Sequence, residues 1–196
     1  MASLVLNGDT SGSITLSSPA VAGSTTQTLV AATGTLAPLI SGTAQASTSG
    51  TSIDFTGIPS WVKRITVMFA GVSTSGTSQP YLQIGDAGGI ENSSYVSSVG
   101  SISTTINTTG GSDSVTAAFP LYIGALGAST QAISGTVMLT LLGSNTWTLC
   151  GTVYASTRTV SVAGYKTLSD TLTQIRITTA GGTDTFDAGS INILYE

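Results

Sequence analysis

The sequence predicts an all-β protein, a β-sandwich of jelly-roll-like form that follows an extended N-terminal arm. Serine and threonine account for 63 of the 196 residues, beside 24 glycines, and only 7% of the residues are charged. Threonine, valine, isoleucine and aromatic residues suit a pleated sheet, while glycine and serine supply its turns. Long helical runs of glutamate, lysine, alanine and leucine are missing. The 40% of hydrophobic residues are enough for one core.

The first 50 residues differ in composition from the remainder and predict a separate arm, 1–50. They contain one charged residue, Asp9, and no aromatic residue. Their short apolar runs bury little surface alone, so we expect the arm to lie against another chain. The stretch 41–50 has the composition of a flexible linker. The head domain is therefore expected to span 51–196 and to fold without residues 1–45.

From residue 51 onward, strand signals recur at short intervals with glycine or proline between them. Apolar or alternating runs predict strands at 53–55, 62–72, 80–84, 95–106, 115–123, 133–142, 146–156, 159–167, 171–179 and 191–195, with a glycine-rich loop at 85–89. This spacing is typical of a sandwich or jelly roll, and no helical pattern separates the strands. Strand 62–72 is apolar or small on both faces, so we expect it in the centre of a sheet.

The inventory of reactive side chains argues against an enzyme. The chain has no histidine, which removes a Ser-His-Asp or Cys-His arrangement, and one cysteine cannot form a zinc site. Cys150 lies in an apolar run, so we expect a buried, unreactive thiol. Trp147 and Tyr154 are expected in the core. Trp61 could plug the base of the sandwich, and aromatic residues such as Tyr81 could stack on sugars.

Carboxylate pairs are the remaining chemistry that the sequence permits. Three sets could meet in the fold: Asp86 with Glu91, Asp184 with Asp187, and Asp54. Paired carboxylates cleave glycosidic bonds, so a glycan-degrading spike is a remote alternative. Turn positions favour solvation and local hydrogen bonding instead. Loops 85–91 and 181–189 lack the dense ligand spacing of a calcium site, so no metal or cofactor is expected.

Charge and hydropathy argue against nucleic acid and against membrane insertion. Five Lys and Arg stand against nine Asp and Glu, whereas nucleic-acid binding normally needs a basic face. Lys63-Arg64 is the one basic pair and predicts a charged sheet edge that discourages strand pairing. No apolar run approaches the ~20 residues of a membrane helix. Residues 1–9 lack a signal-peptide pattern, so we expect folding in a cytoplasm.

Several segments resemble those of tailed-bacteriophage virion proteins. Residues 7–16 (Asn-Gly-Asp-Thr-Ser-Gly-Ser-Ile-Thr-Leu), with 19–23 and 33–36, are similar to the N-terminal module of such proteins, fibres especially. Residues 55–67 and 184–196 are similar to the two ends of a small phage β-sandwich domain. The resemblance therefore extends over nearly the whole chain.

This resemblance implies a structural virion protein that assembles in the host cytoplasm as a homotrimer. In a short tail fibre or receptor-binding protein, the N-terminal module joins other virion proteins of the tail, collar or capsid. The sandwich is then displayed toward a host-surface glycan or protein. The chain has no long shaft, which leaves a capsid decoration protein, of head-fibre or cement type, as the alternative.

Two sets of residues are candidate contacts. The apolar residues of the arm are the candidates for virion attachment: Leu4, Leu6, Ile14, Leu16 and Leu36. Loops on rigid scaffolds commonly carry binding residues. Three predicted loops of the head, 73–79, 85–94 and 108–113, therefore supply the candidate receptor contacts. The candidates are Ser75, Gln79, Asp86, Glu91, Asn92 and Asp113.

Overall fold

The structure is a computed structural model that describes residues 3–7, 10–17, 37–103, 112–123, 132–155 and 157–196. All regular structure in these ranges is β-strand, which confirms the all-β class. The chain forms two compact units, Met1–Leu36 and Ala37–Glu196. In the N-terminal unit, β1 (Ser3–Asn7) and β2 (Ser13–Ser17) pair as an antiparallel hairpin.

The described strands of the C-terminal unit form two antiparallel sheets. The larger sheet has the spatial order β10 (Ser112–Asp113), β9 (Val96–Ser103), β14 (Arg158–Thr167), β13 (Thr146–Ala155), β12 (Ile133–Gly143), β6 (Arg64–Thr74), β16 (Phe186–Tyr195) and β3 (Ile40–Ser41), and β4 (Gln45–Ala46) also pairs with β16. The smaller sheet has the order β11 (Phe119–Pro120), β7 (Pro80–Asp86), β15 (Gln174–Thr179) and β5 (Ile53–Thr56), and β8 (Gly89–Ile90) pairs with β7.

The two sheets pack around one hydrophobic core, so the C-terminal unit is the predicted β-sandwich. In β6, Ile65, Val67 and Phe69 point into this core and are at most 5% exposed. Leu82 and Ile84 of β7 are fully buried from the smaller sheet. Each such side chain contributes about 1.5–3 kcal/mol when it leaves water. β6 lies inside the larger sheet, between β12 and β16, as its apolar sequence predicts.

Residues 37–50 belong to the sandwich and do not form a flexible linker. β3 and β4 extend the larger sheet by pairing with β16. Ser47 is fully buried, with its N–H donating to the carbonyl of Gly189 at 2.9 Å and its hydroxyl to that of Ala188 at 2.8 Å. Composition alone does not distinguish a linker from a short edge strand whose hydrogen bonds reach a distant segment.

Several predicted elements differ in extent from the observed ones. The expected loop 85–89 is largely strand, because β7 runs through Asp86 and a two-residue turn leads directly into β8. Within 115–123 only β11 is a strand, and the predicted strand 171–179 begins at Gln174 as β15. Residues 104–106 of the predicted strand 95–106, and residue 156, lie outside the described residues.

Two side-chain predictions are wrong because strand side chains alternate between faces. Trp147 and Tyr154 lie an odd number of positions apart in β13, so a regular strand cannot bury both. Trp147 is 3% exposed and Tyr154 is 56% exposed. Cys150 follows the buried Leu149 and therefore points outward, which leaves its thiol exposed and not buried.

The Lys63-Arg64 pair does not mark a sheet edge. Arg64 begins β6, which is paired on both sides, and its guanidinium forms an ion pair with Glu196 at the chain end. Trp61 is 38% exposed, and its ring packs 5.9 Å from the ring of Tyr195. The basic pair therefore lies at the start of β6, an inner strand, and close in the chain to the Trp61–Tyr195 ring contact.

Candidate functional site

The hairpin brings four of the five candidate attachment residues onto one face, here called the hairpin face. In the β1–β2 register Leu4 lies opposite Leu16, and Leu6 lies opposite Ile14. Alternate positions of a strand share a face. The four side chains are 52 to 66% exposed. Apart from one valine, the other face carries serine, threonine and asparagine. Leu36 lies outside the described residues.

Asp86 and Glu91, two of the candidate receptor contacts, meet at Ser169. The hydroxyl of Ser169 donates to Oδ2 of Asp86 at 2.5 Å, and its N–H donates to Oε1 of Glu91 at 2.7 Å. Asp86 is only 4% exposed and also accepts the N–H of Gly88 at 2.8 Å. The hydrogen bonds from Ser169 and Gly88 favour the ionised carboxylate and lower the pKa of Asp86.

Glu91 also pairs with a buried lysine that sequence reasoning did not single out. The ammonium of Lys166, which is 3% exposed, contacts the carboxylate of Glu91 and donates to the carbonyl of Thr167 at 2.8 Å. Burial alone raises the pKa of Glu91, but the hydrogen bonds from Lys166 and Ser169 outweigh it, so the pKa lies below its usual value. Both candidate carboxylates are thus engaged in internal contacts.

Tyr95 connects Glu91 with Ile84 of β7 through hydrogen bonds of its hydroxyl group. Its hydroxyl accepts the N–H of Ile84 at 2.9 Å and donates to the carbonyl of Glu91 at 2.8 Å. Its ring meets that of Phe119 edge-on at 4.9 Å, and the Lys166 ammonium lies 5.7 Å from the ring centroid. Burial raises the pKa of the phenol. The residue supports the fold with both its ring and its hydroxyl.

The other four candidate receptor contacts differ in solvent exposure. Gln79 is 9% exposed, and its amide donates to the carbonyl of Tyr122 at 2.6 Å and to Oδ2 of Asp113 at 3.2 Å. Asp113, Ser75 and Asn92 are exposed. The structure therefore joins Gln79 with Asp113, and separately Asp86 with Glu91, while three of the six candidates remain open to solvent.

Asp184 and Asp187 accept hydrogen bonds from residues that are distant in the chain, and not the local hydrogen bonds that their turn positions predict. Asp184 accepts the N–H of Ser78 at 2.7 Å, and Asp187 accepts the hydroxyl of Ser73. Asp54 accepts hydrogen bonds from Arg176 with both carboxylate oxygens. Among the described residues, no three acidic or cysteine side chains converge as a metal site would require. None of the described segments is a helix long and apolar enough to cross a membrane.

A polar groove of about 350 Å³ lies on the smaller sheet, where β7 pairs with β15. Its lining combines one phenol ring with amide, guanidinium and hydroxyl groups: Tyr81, Gln83, Asn92, Arg176, Thr178 and Thr179. Arg176 donates two hydrogen bonds of 2.7 Å to the two carboxylate oxygens of Asp54, and this pairing raises the pKa of its guanidinium. The buried hydroxyl of Thr179 has no hydrogen-bond partner among the described residues. Such a lining suits a polar, ring-shaped ligand.

The larger sheet presents an uncharged surface on the side away from the core, here called the outer face. Its members are the outward residues of five adjacent strands, aligned in rows by the strand register: Thr66, Met68, Val96, Ser98, Gly100, Ile102, Ser134, Thr136, Met138, Thr140, Thr148, Cys150, Thr152, Tyr154, Thr159, Ser161, Ala163 and Tyr165. Arg64 ends one row, where Glu196 neutralises it. Sequence reasoning did not identify this face, although hydroxyl residues recur at alternate positions in the predicted strands 146–156 and 159–167 and could have indicated it.

Comparison of the chain with protein-family models, with curated proteins and with solved structures found no match.

Proposed function

We propose that this chain is a structural bacteriophage virion protein of the short tail fibre or receptor-binding type, without enzymatic activity. The N-terminal hairpin attaches to another virion protein, and the β-sandwich is displayed toward the host. Copies of the chain associate as a homotrimer, which is the assembly that the sequence resemblance implies. The observation that carries the proposal is the hairpin face, with its four exposed aliphatic side chains.

The hairpin face supports attachment because an uncovered two-stranded hairpin is marginally stable at best in water. Complete burial of a leucine or isoleucine side chain contributes about 1.5–3 kcal/mol. Four such side chains therefore supply enough driving force to order the hairpin against an apolar partner surface. The hydroxyl side chains of the opposite face remain compatible with water.

The groove on the smaller sheet is the proposed contact for a host-surface glycan. Tyr81 offers an aromatic ring, and the exposed Asn92 offers an amide group on the same lining. The amide of Gln83 is buried and donates to the carbonyl of Ala117 at 3.1 Å. Asn92 is the candidate receptor residue that this lining includes. Arg176 is fixed by Asp54, so its guanidinium is positioned before a ligand arrives.

Matched single substitutions on the two hairpin faces test the attachment. Leu4→Asp places a charge on the hairpin face, whereas Val5→Asp places the same charge on the opposite face at similar exposure, 51% against 56%. In phage grown with each variant in place of the natural protein, immunoblots of purified particles should show at least about tenfold less Leu4→Asp protein. Equal incorporation of both variants would refute attachment through the hairpin face.

A capsid decoration protein is the alternative position for the same architecture. Quantitative mass spectrometry of purified particles separates the two, because decoration requires hundreds of copies and a tail fibre requires tens. If the purified protein released sugar from host polysaccharide, both proposals would be wrong and the protein would be a glycan-degrading spike.

A further inference from the structure

We propose that the outer face is an interface through which two copies of this chain pack sheet against sheet about a two-fold axis. The inference rests on the proposed function only in that copies of the chain assemble with one another. It identifies a surface that the proposed homotrimer does not specify. The charge, the hydrogen-bonding capacity and the extent of the outer face all favour a second copy as its partner.

The absence of charge on the outer face favours a second copy as the occupant. In a two-fold interface each patch meets itself, so any charged side chain near the axis would approach its own like charge. The members of the outer face are uncharged, and Arg64 at its border is neutralised by Glu196. A nucleic acid or a charged peptide would find no counter-charge on this surface.

The hydroxyl side chains of the outer face are self-complementary in hydrogen bonding. A serine or threonine hydroxyl both donates and accepts, so it can pair with the same hydroxyl of a second copy. A carboxylate, which only accepts, or an ammonium, which only donates, cannot do so. Thr136, Thr152 and Ser161 form adjacent members of one row. Their small size allows two sheets to approach to the ~10 Å of face-to-face packing.

The outer face is large enough for a stable contact. Five strands ~4.8 Å apart and four rows ~6.8 Å apart cover roughly 650 Å², close to the ~800 Å² that each partner contributes to a typical stable interface. Four of its side chains are large, apolar and 46 to 76% exposed: Val96, Ile102, Tyr154 and Tyr165. Exposed tyrosines of this kind commonly dominate the binding energy of an interface.

The one cysteine of the chain lies at the centre of this face and serves as a probe of the contact. β13, which carries Cys150, is the third of the five strands, and the thiol is exposed. A two-fold axis through the middle of the face brings the Cys150 thiols of the two copies close together. A short thiol–thiol crosslinker should therefore yield a covalent dimer, and the Cys150→Ser protein should yield none.

Sedimentation velocity of the full chain over a wide concentration range, together with this crosslinking, tests the proposal. Thr152→Lys introduces a charge at the centre of the face through an exposed side chain that the core does not use, and Ser161→Lys repeats the change on the next strand. Thr183→Lys is the matched control in an exposed loop. We expect the wild type to form assemblies with an even number of copies: dimers, or hexamers in which the two-fold contact joins two of the proposed homotrimers. Both face variants should weaken self-association more than about tenfold, and the control should not.

Circular dichroism and thermal unfolding establish that each variant is folded before its mass is compared. A wild type that is monomeric at every concentration would refute both the interface and the proposed self-association. A trimer whose mass neither face variant changes would refute the outer-face interface and leave the proposed homotrimer standing. A dimer that persists in both face variants, or that does not crosslink through Cys150, would also overturn the proposal.

Discussion

The ammonium group of Lys166 lies inside the sandwich against the carboxylate of Glu91. Only 4% of the Lys166 side chain is exposed, whereas 22% of the Glu91 side chain is exposed. The two side chains therefore differ in how well water can solvate each of them once its partner is removed. Glu91 can be hydrated if the lysine is lost, but Lys166 cannot be hydrated in the same way if the glutamate is lost.

Replacement of either partner by methionine should reveal this asymmetry. Glu91→Met leaves a buried ammonium without its counter-ion and should lower the free energy of unfolding by about 3–5 kcal/mol. Lys166→Met should cost clearly less, since methionine fills a similar volume and Glu91 is within reach of solvent. The double variant should recover most of the loss seen in Glu91→Met. Urea denaturation measures all three, and equal losses in the two single variants would contradict the argument.

Acid should weaken the fold through Asp86 and Glu91. The pKa of each carboxyl is lowered in the folded protein, so the folded state binds protons less readily than the unfolded chain. Their stabilisation is fully present above the unfolded pKa values, near pH 4. It is lost as the pH falls through the lower folded values. The Tm should hold steady from pH 7 to about pH 5 and fall below about pH 4.

Ser169→Ala provides the control for this pH dependence. The substitution removes the hydroxyl that donates to Asp86 but keeps the N–H that donates to Glu91. The variant should be less stable at neutral pH and should lose less stability on acidification, because the pKa of Asp86 returns toward its ordinary value. An acid-induced loss as large as that of the wild type would show that Ser169 does not lower this pKa.

The network around Glu91 shows what the sequence could not reveal. Glu91 lies far along the chain from Lys166 and Ser169, and no local pattern pairs it with them. Their contacts depend on which strands of the two sheets lie next to each other. By contrast, the alternation of Ile65, Val67 and Phe69 predicts the buried face of β6 directly, because neighbouring residues carry the whole signal.

The hairpin shows an intermediate case. The prediction that Leu4, Leu6, Ile14 and Leu16 attach the chain comes from their short apolar runs among polar residues. Their position on one shared face follows only from the antiparallel register of β1 and β2. The prediction that Cys150 is buried was wrong, because it relied on the apolar run around the residue. In a strand, successive side chains point to opposite faces, so Cys150 points away from the core although its neighbour Leu149 is buried.

Gly189 should not tolerate a side chain. It has a φ of 94° at an irregular point in the pairing of β16 with β6, and a Cβ there would lie 2.4 Å from the carbonyl oxygen of Gly71. Gly189→Ala should therefore lower the free energy of unfolding by about 2 kcal/mol or more. Gly100→Ala, on β9, is the control, because no atom of the described residues lies within 4 Å of a Cβ at this position. It should change the free energy of unfolding by less than about 0.5 kcal/mol. Similar urea midpoints for the two variants would contradict this account.

Two N-terminal truncations should differ sharply in stability. Removal of residues 1–36 spares the compact unit that begins at Ala37. Removal of residues 1–50 also deletes β3, β4 and the buried Ser47, together with backbone hydrogen bonds to β16 such as the 2.9 Å bond from Ser47 to Gly189. An unpaired edge of β16 would then promote aggregation. At about 1 kcal/mol for each of several lost hydrogen bonds, the longer truncation should have a Tm roughly 10 °C lower than the shorter one. Calorimetry of the two proteins makes the comparison. Equal Tm values would mean that residues 37–50 are dispensable to the sandwich, as their composition alone suggests.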